Sequence, residues 1–522
     1  MAGRVSSKQQ VMRPANFWAY VPLTAGIAGV VSWFLSDWFL SPDARYSAPT
    51  FWLATLIILY WFSVGIFRWL MLPLMSRPVA MRSQQTHRIG VATTFVPGIE
   101  PLEMLEKTVT ALVAMRVPHD TWVLDEGDDP AVKALCRRVG ANHFTRKHDP
   151  KYLTDRGTYE CKTKHGNYNA WLDAEGYARY DVIVGFDPDH IPDREFLNAA
   201  IGYFDDPSIG YVQLPQIYYN QQSGFIARGA AEETYGYYSA TQMSSYTAGF
   251  PIVTGCHQTH RATALQQVGG FAPHDADDLL ITLLYRTAGH HGVYVPEVHA
   301  RGLAPTSWAS YLQQQRRWSR AVVDIKLRAF PTVAGRLPLP TQVMGALHGF
   351  YYMQEGLVGG VVVLLLMNFL VAGTLPSFLS GTHMLKLALV SLCLTAIGFY
   401  PQRFFLQPEQ ERGLHLRARL LRVAKWPYLF FGLVDALIGH APAYLVTPKV
   451  NMVRGRALAT WPHLVIAAAV GGSWFVGSLL GHHEPNLLAV MALSVIGLSL
   501  VIVWTERLDT PEPFDPALFD ES

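Results

Sequence analysis

Apolar residues fall along this chain in three regimes. Residues 17 to about 40 and 51 to about 74 form two nearly unbroken hydrophobic runs. Each is close to the ~20 residues a helix needs to cross the hydrocarbon of a bilayer. Residues 89–329 behave differently: short apolar runs alternate with helix-periodic stretches, the signature of a βαβ sheet domain. After a proline-rich exit at 331–340 the long runs return, at 345–372, 385–400, 464–480 and 487–504. The second of these is marginal, because its clean apolar stretch is short and Lys386 stands at its start.

Within the middle region the runs 89–96, 122–124, 181–186 and 209–212 read as strands, and 102–115, 131–139 and 167–177 as helices. Open α/β sheets bind ligands beyond the carboxyl ends of their strands. Acidic residues stand at those ends: Glu100, Asp125 with Glu126, then Asp187 and Asp189 in the stretch Val182-Ile-Val-Gly-Phe-Asp-Pro-Asp-His190. Two carboxylates spaced i, i+2 past a strand can converge on a hard divalent cation. Asp-x-Asp after an apolar run is more often an ordinary turn or cap, so its weight comes from its neighbours.

Half of the 522 residues are apolar and only 16% are charged, a membrane-protein composition. With a net charge of +2 and no basic run interleaved with aromatics, nucleic acid is excluded as a partner. The cysteines Cys136, Cys161, Cys256 and Cys393 have neither metal nor disulfide spacing and read as reduced, cytosol-facing thiols. The pairs His257 and His260, His290 and His291, and His482 and His483 lack a third ligand at a set spacing, so no metal site is read from them. Tyr235, Tyr237 and Tyr238 read as packing.

Charge also orients the chain. Arg4, Lys8 and Arg13 precede the first run, Arg77, Arg82 and Arg88 follow the second, and no small-residue cleavage site separates them, so the first run is a retained span. By the positive-inside bias the amino terminus and residue 77 onward are cytoplasmic. Residues 403–425 are arginine-rich, and 426–440 is an apolar stretch interrupted by Asp435. If that stretch crossed, Arg454 and Arg456 would sit opposite the basic residues at 417–425, so it is expected to lie in the interface as an amphipathic helix. The expected domains are a transmembrane hairpin (1–76), a cytoplasmic sheet domain (77–330), a second hairpin (331–402), an interfacial helix with a loop (403–460), a third hairpin (461–506) and a disordered acidic tail (507–522). That makes about six spans.

Two further segments carry chemistry. Gln314, Arg317 and Trp318, at i, i+3 and i+4, share one helix face, where a guanidinium can grip diphosphate oxygens and an indole can stack on a sugar ring. The same face would also suit an interfacial helix anchored by its tryptophan. Asp277 and Asp278 open an amphipathic helix and read locally as caps. One of them, with its pKa raised by a like-charged neighbour, could instead be a general base; Asp278 is the expected one.

The ordered set resembles the processive membrane glycosyltransferases of family 2, the group of cellulose, hyaluronan and chitin synthases. It comprises Glu100, Asp125-Glu126-Gly127, Lys164-His-Gly-Asn-Tyr-Asn169, Asp187-x-Asp189, Thr254-Gly255-Cys256, Asp277-Asp278 and Gln314-x-x-Arg317-Trp318. Tyr444-Leu-Val-Thr-Pro-Lys449 is similar to the gating loop of cellulose synthases, which places Thr447 and Lys449 near substrate and favours a β-glucan product. The resemblance implies a GT-A type α/β domain with a mixed, mainly parallel sheet, inserted between transmembrane helices. It implies that Glu100 and Asp125 contact uracil, Lys164 the phosphates, and Thr254, Gly255, Cys256 and Trp318 the sugars. Asp187 and Asp189 would hold Mg²⁺ or Mn²⁺. The implied activity is inverting, processive polymerisation from a UDP-sugar, UDP-glucose first, onto a growing polysaccharide that is moved across the plasma (inner) membrane. Transfer of one sugar to a polyprenyl phosphate, a hyaluronan- or chitin-type polymer from a UDP-N-acetylhexosamine, and a nucleotide-sensing channel are the alternatives. Besides the lipid bilayer, auxiliary export subunits or self-association stay open as partners. The sequence departs from the family at Pro97-Gly-Ile-Glu-Pro101, at Ala276-Asp277-Asp278 and at Ile252-Val-Thr-Gly-Cys256, the last bearing on acceptor and linkage. No segment of the type that binds cyclic dinucleotides is recognised, so control by that signal within this chain is not expected.

Overall fold

The computed structural model describes residues 7–40, 48–440, 458–482 and 486–507. Two long helices come first, α1 (Pro14–Leu40) and α2 (Ala48–Met71). Trp38 Nε1 of α1 donates to the Thr55 hydroxyl of α2 at 2.9 Å, and Phe34 meets Phe62 edge to face at 5.7 Å. Such polar contacts help apolar helices associate where lipid offers no hydrophobic drive.

A seven-stranded sheet follows. Its strands are β1 (Ile89–Phe95), β2 (Asp120–Asp125), β3 (Asn142–Phe144), β4 (Val182–Phe186), β5 (Ile209–Gln213), β6 (Gln258–Arg261) and β7 (His291–Tyr294). They lie in the order β7-β5-β6-β4-β1-β2-β3. Every neighbouring pair is parallel except the two made by β6, which runs antiparallel to β4 and to β5. Every residue of β4 is buried, and in β1 only Thr94 is partly open. Strands covered on both faces carry continuous apolar runs, which is why these two are conspicuous in the sequence.

Helices α3 (Leu102–Val113) and α4 (Pro130–Val139) cover one face, with Leu105, Val109, Val132 and Leu135 against Phe95 and Val123. On the other face α5 (Lys164–Trp171) sets Tyr168 and Trp171 against Ala92, Leu124 and Ile183. Each such large apolar side chain contributes roughly 1.5–3 kcal/mol by leaving water. Three more helices of this part bear on the site: α6 (Phe225–Gly236), α7 (Asp277–Thr287) and α8 (Trp308–Asp324).

Beyond it lie α9 (Phe350–Ala372), α10 (Gly381–Ile397), α11 (Leu416–Leu437), α12 (Trp461–Leu479) and α13 (Asn486–Thr505). Among the described residues six segments are long and apolar enough to cross a membrane: Pro14–Leu40, Pro49–Leu74, Leu339–Ala372, Gly381–Phe404, Trp461–Leu479 and Asn486–Thr505. The chain is a multi-pass membrane protein. The third segment is broken before α9, where Gly349 takes a left-handed φ of 70° and a Cβ would lie 2.4 Å from Val322 Cγ1.

The α11 helix is not one of the six. It starts well before Trp426 and runs through Pro427 without a break, so part of the expected arginine-rich link is helical. Packing explains the difference: Leu421 and Ala424 join Ile226, Trp308 and Leu312 of α6 and α8, while Leu429 joins Val322 and Tyr352. Most helix stability comes from such tertiary burial. Asp435 is gripped by Arg316 of α8, Nε to Oδ2 at 2.7 Å and Nη2 to Oδ1 at 3.1 Å. Two glycines permit the close approach. A Cβ on Gly432 would lie 2.6 Å from the Arg316 carbonyl oxygen, and one on Gly356 of α9 would lie 2.8 Å from the Phe430 amide nitrogen. The 444–449 loop and the tail beyond 507 lie outside the described residues.

Candidate active site

A cavity of 1530 Å³ lies past the carboxyl ends of β1, β2, β4 and β5, walled there by Val96, Glu126, Asp187 and Gln216. Asp187 follows β4, Asp278 stands in the first turn of α7, and Trp318 projects from α8; all three line it. The cavity continues along α11 to Arg422 and Lys425 and reaches Arg68, Tyr352 and Glu355 in two of the membrane-crossing segments. The guanidinium of Arg422 pairs with Glu355 there, and Lys425 Nζ lies 2.8 Å from Glu233.

Thr163 caps α5 by accepting the Gly166 N–H at 3.1 Å, which puts Lys164 at the head of the helix. Its ammonium sits 2.5 Å from Asp187 Oδ1 and 2.6 Å from the Gly255 carbonyl oxygen. Burial alone would lower the Lys164 pKa, but the opposing charge of Asp187 holds it well above the ordinary value. A permanent cation thus stands at the strand ends, where an anionic diphosphate would bind.

Asp277 and Asp278 are partly open to the cavity and otherwise enclosed by protein. The Asp278 N–H donates to Asp277 Oδ1 at 3.0 Å, and Asp278 Oδ1 accepts the Leu279 N–H at 2.7 Å. Burial first, then the charge of Asp277, push Asp278 up to about 7. Burial also raises Asp277, against the pull of Lys164. A carboxylate poised near neutrality can take a proton at working pH.

Asp187, Asp189 and His190 offer three ligand atoms within 4.8 Å of one another. Two carboxylates and one imidazole form a donor set suited to Mg²⁺ or Mn²⁺. The left-handed turn at Gly255 and His257, with φ of 73° and 53°, stands behind this segment. Gly302 lies over the His190 ring face, where a Cβ would come within 2.1, 2.2 and 2.5 Å of Nε2, Cε1 and Cδ2.

Glu100, Lys164, Asp187, Asp189, Thr254 and Gly255 line the cavity, as do Asp277, Asp278, Gln314, Arg317 and Trp318. Two of the expected site residues, Asp125 and Cys256, do not line it. Asp125 is fully buried: Oδ1 accepts the Gly127 N–H at 2.8 Å, while Oδ2 accepts the Asp129 N–H at 2.6 Å and lies 3.0 Å from His143 Nε2. It braces the turn after β2, and the next residue, Glu126, faces the cavity with Arg146 Nε at 3.0 Å. Cys256 is fully buried too, and its Sγ accepts the Asp187 N–H at 3.2 Å, so it supports the strand end from behind. Thr447 and Lys449 lie outside the described residues.

His190 is a cavity residue that the motif reading passed over, although the run Asp187-Pro-Asp-His190 contains it. Tyr237 and Tyr238, read as packing, line the cavity as well. His260 is a core residue, with its ring nitrogens on Tyr285 and Gln258.

Residues 90–321 match the glycosyltransferase-like family 2. Over 292 residues the chain is 28% identical to the UDP-forming cellulose synthase catalytic subunit of Xanthomonas axonopodis pv. citri (strain 306), covering 54% of this chain and 38% of that protein. The corresponding subunit of Pseudomonas fluorescens (strain SBW25) is 26% identical over 292 residues, covering 53% and 38%. The aligned stretch thus spans well under half the length of both relatives. Among solved structures, the mannosyltransferase PcManGT from Pyrobaculum calidifontis, in complex with GDP-Man and Mn²⁺, superposes with a TM-score of 0.51 at 16% identity, covering 73% of this chain and 98% of that one. Likeness at that identity establishes a shared fold, the GT-A type. Residues 90–321 therefore form a glycosyltransferase-like family 2 domain, similar to that of cellulose synthase catalytic subunits and flanked by helices long and apolar enough to cross a membrane.

Proposed function

We propose that the protein is a processive, inverting β-glycosyltransferase that polymerises a sugar from a UDP-sugar, with UDP-glucose and a β-glucan product favoured, and passes the polymer across the inner membrane. The observation that carries this reading is the continuity of one cavity from Asp187 through Asp278 and Trp318 to Arg68, Tyr352 and Glu355 of the membrane segments. A transferase that released each product to water would need no such extension. The UDP-forming cellulose synthase relatives favour the donor.

In this reading the donor lies across the strand ends, with Glu100 and Glu126 toward the nucleoside and Lys164 and Arg317 on the diphosphate. Asp187, Asp189 and His190 would hold the divalent cation, which when bound supplies charge neutralisation for the leaving diphosphate. Asp278 accepts the proton of the acceptor hydroxyl as its oxygen bonds to the anomeric carbon, and the bond from that carbon to the diphosphate oxygen breaks. One displacement without a covalent intermediate inverts the centre. Trp318 holds the acceptor ring at the head of the cavity, as stacked indoles do. The catalytic domain faces the cytoplasm, where nucleotide sugars are made.

The test is purified protein in lipid, given UDP-glucose, UDP-N-acetylglucosamine and GDP-mannose separately. UDP release from UDP-glucose with a β-glucanase-sensitive polymer is expected. A product of one sugar on a lipid phosphate, or nucleotide binding without release, would replace the proposal.

A further inference from the structure

We infer that His257 is a positioning residue for the cation site: it fixes which nitrogen of His190 carries a proton and so makes that imidazole a ligand beside Asp187 and Asp189. The inference rests on the metal-assisted reading above. His190 Nδ1 lies 2.8 Å from His257 Nε2, and His257 Nδ1 lies 2.8 Å from the Pro215 carbonyl oxygen. A carbonyl only accepts, so the proton of His257 is on Nδ1. His257 is fully buried, its two ring nitrogens are on a carbonyl and another imidazole, and a second ring proton would carry the cost of a charge taken out of water. Its Nε2 is therefore the acceptor, and the proton between the rings belongs to His190 Nδ1. In the neutral ring this leaves the lone pair on His190 Nε2, the state that ligation requires. Histidines that bind metals are ordinarily held in this way by a partner on the other nitrogen.

A rival arrangement uses the same side chains. His190, Cys256 and His257 also bring ligand atoms within 4.8 Å of one another, and two nitrogens with a sulfur would suit zinc. The distances decide against it. Imidazole nitrogens bound to one zinc, each ~2.0–2.1 Å from it at a tetrahedral angle, lie more than about 3 Å apart. The 2.8 Å separation here is that of a direct hydrogen bond. The Cys256 thiol is engaged as well, by the Asp187 N–H. Both side chains of the turn thus brace the cation segment from behind, His257 through His190 and Cys256 through the Asp187 backbone. His257 keeps a φ of 53°, which non-glycine residues seldom adopt, and a held outlier of this kind is where a functional constraint is expected.

The experiment measures Mn²⁺ binding to the full-length protein in nanodiscs with saturating UDP, by the electron paramagnetic resonance of free Mn²⁺. His257→Ala, or His257→Leu should the alanine variant not fold, is expected to weaken Mn²⁺ roughly 10- to 100-fold. UDP binding without metal should be unchanged. His257→Gln, whose amide can donate to Pro215 and accept from His190, should restore most of the affinity. His190→Ala should lose as much as His257→Ala, and the double variant no more than either. Unchanged Mn²⁺ affinity in His257→Ala, additive losses in the double variant, or stoichiometric zinc that depends on His257 would each overturn the inference. If the wild-type protein with UDP bound no Mn²⁺, the functional reading would fall with it.

Discussion

Asp278 is shifted first by its enclosure and only then by its neighbour. Burial among the surrounding protein, and after it the Asp277 carboxylate, disfavour a negative charge on Asp278 at the start of α7, which is why its pKa is raised to about 7. If Asp278 is the base, the sugar-transfer rate should climb as pH rises through about 7 and then level off. The sign for stability is opposite. The folded chain binds this proton more tightly than the unfolded chain, so the contribution of this group falls as pH rises from the ordinary carboxylate range through about 7. Asp278→Asn should therefore abolish turnover while the melting temperature at pH 8 holds or increases; a fall in both would mark a structural residue. Arg146 shows the reverse case. Its guanidinium, 1% exposed, serves Glu126 and the carbonyls of Tyr152, Tyr159 and Glu160. Arg146→Met takes the charge partner from Glu126 and a donor from each of these carbonyls, and should cost ~3 kcal/mol of unfolding free energy. At this scale residue type and spacing singled out Asp187, Asp278 and Trp318, and all three line one cavity. Asp125 and Cys256 are buried away from that cavity, because a motif names a residue without saying which way a turn points it. His257 carried no signal, since its partner His190 becomes a neighbour only when β6 inserts antiparallel between β4 and β5.

Among the elements, α8 has two working faces. Gln314, Arg317 and Trp318 face the cavity, while Arg316 and Ser319 face α11 through Asp435 and the Leu429 carbonyl oxygen. Gly432→Val should push α8 away from α11, lower the melting temperature by several degrees and cut transfer together with it. Arg316→Leu leaves the Asp435 carboxylate buried without its partner and should destabilise by ~3 kcal/mol, whereas adding Asp435→Leu should recover most of the loss. Thermal unfolding in detergent reads both. The face at i, i+3 and i+4 was legible because helical spacing alone defines it. The buried strands were legible because continuous apolar runs bounded by turns have few other readings. The length of α11 was not, because its arginines and Pro427 suggest a break that contacts with α6, α8 and α9 override.

Over the whole molecule, the sheet, the bracing helix and the spans share one hollow. Its far end carries the Arg422–Glu355 and Lys425–Glu233 pairs beside Tyr351 and Tyr352, the polar and aromatic groups that the proposed polymer would meet on its way out. Trp318→Ala should loosen the acceptor and shorten the product several-fold, with a smaller effect on UDP release at saturating donor. Tyr352→Ala should leave the first transfers intact and stall longer chains. Gel filtration of the product against UDP counts separates the two outcomes, and equal loss of both readouts in both variants would argue against directional passage. Six spans could be counted from hydropathy, whereas the joining of the cavity to two of them depends on long-range packing that no local pattern records.

The break at Gly349 has a practical corollary. Because His348, Gly349 and Tyr352 wall the hollow and Gly349 seats directly on Val322 of α8, the membrane portion is a structural part of the pocket as well as its anchor. Trimming the chain to a water-soluble fragment would open one side of the reaction chamber to solvent, and inhibitors shaped to that side would have to be sought in a lipid setting.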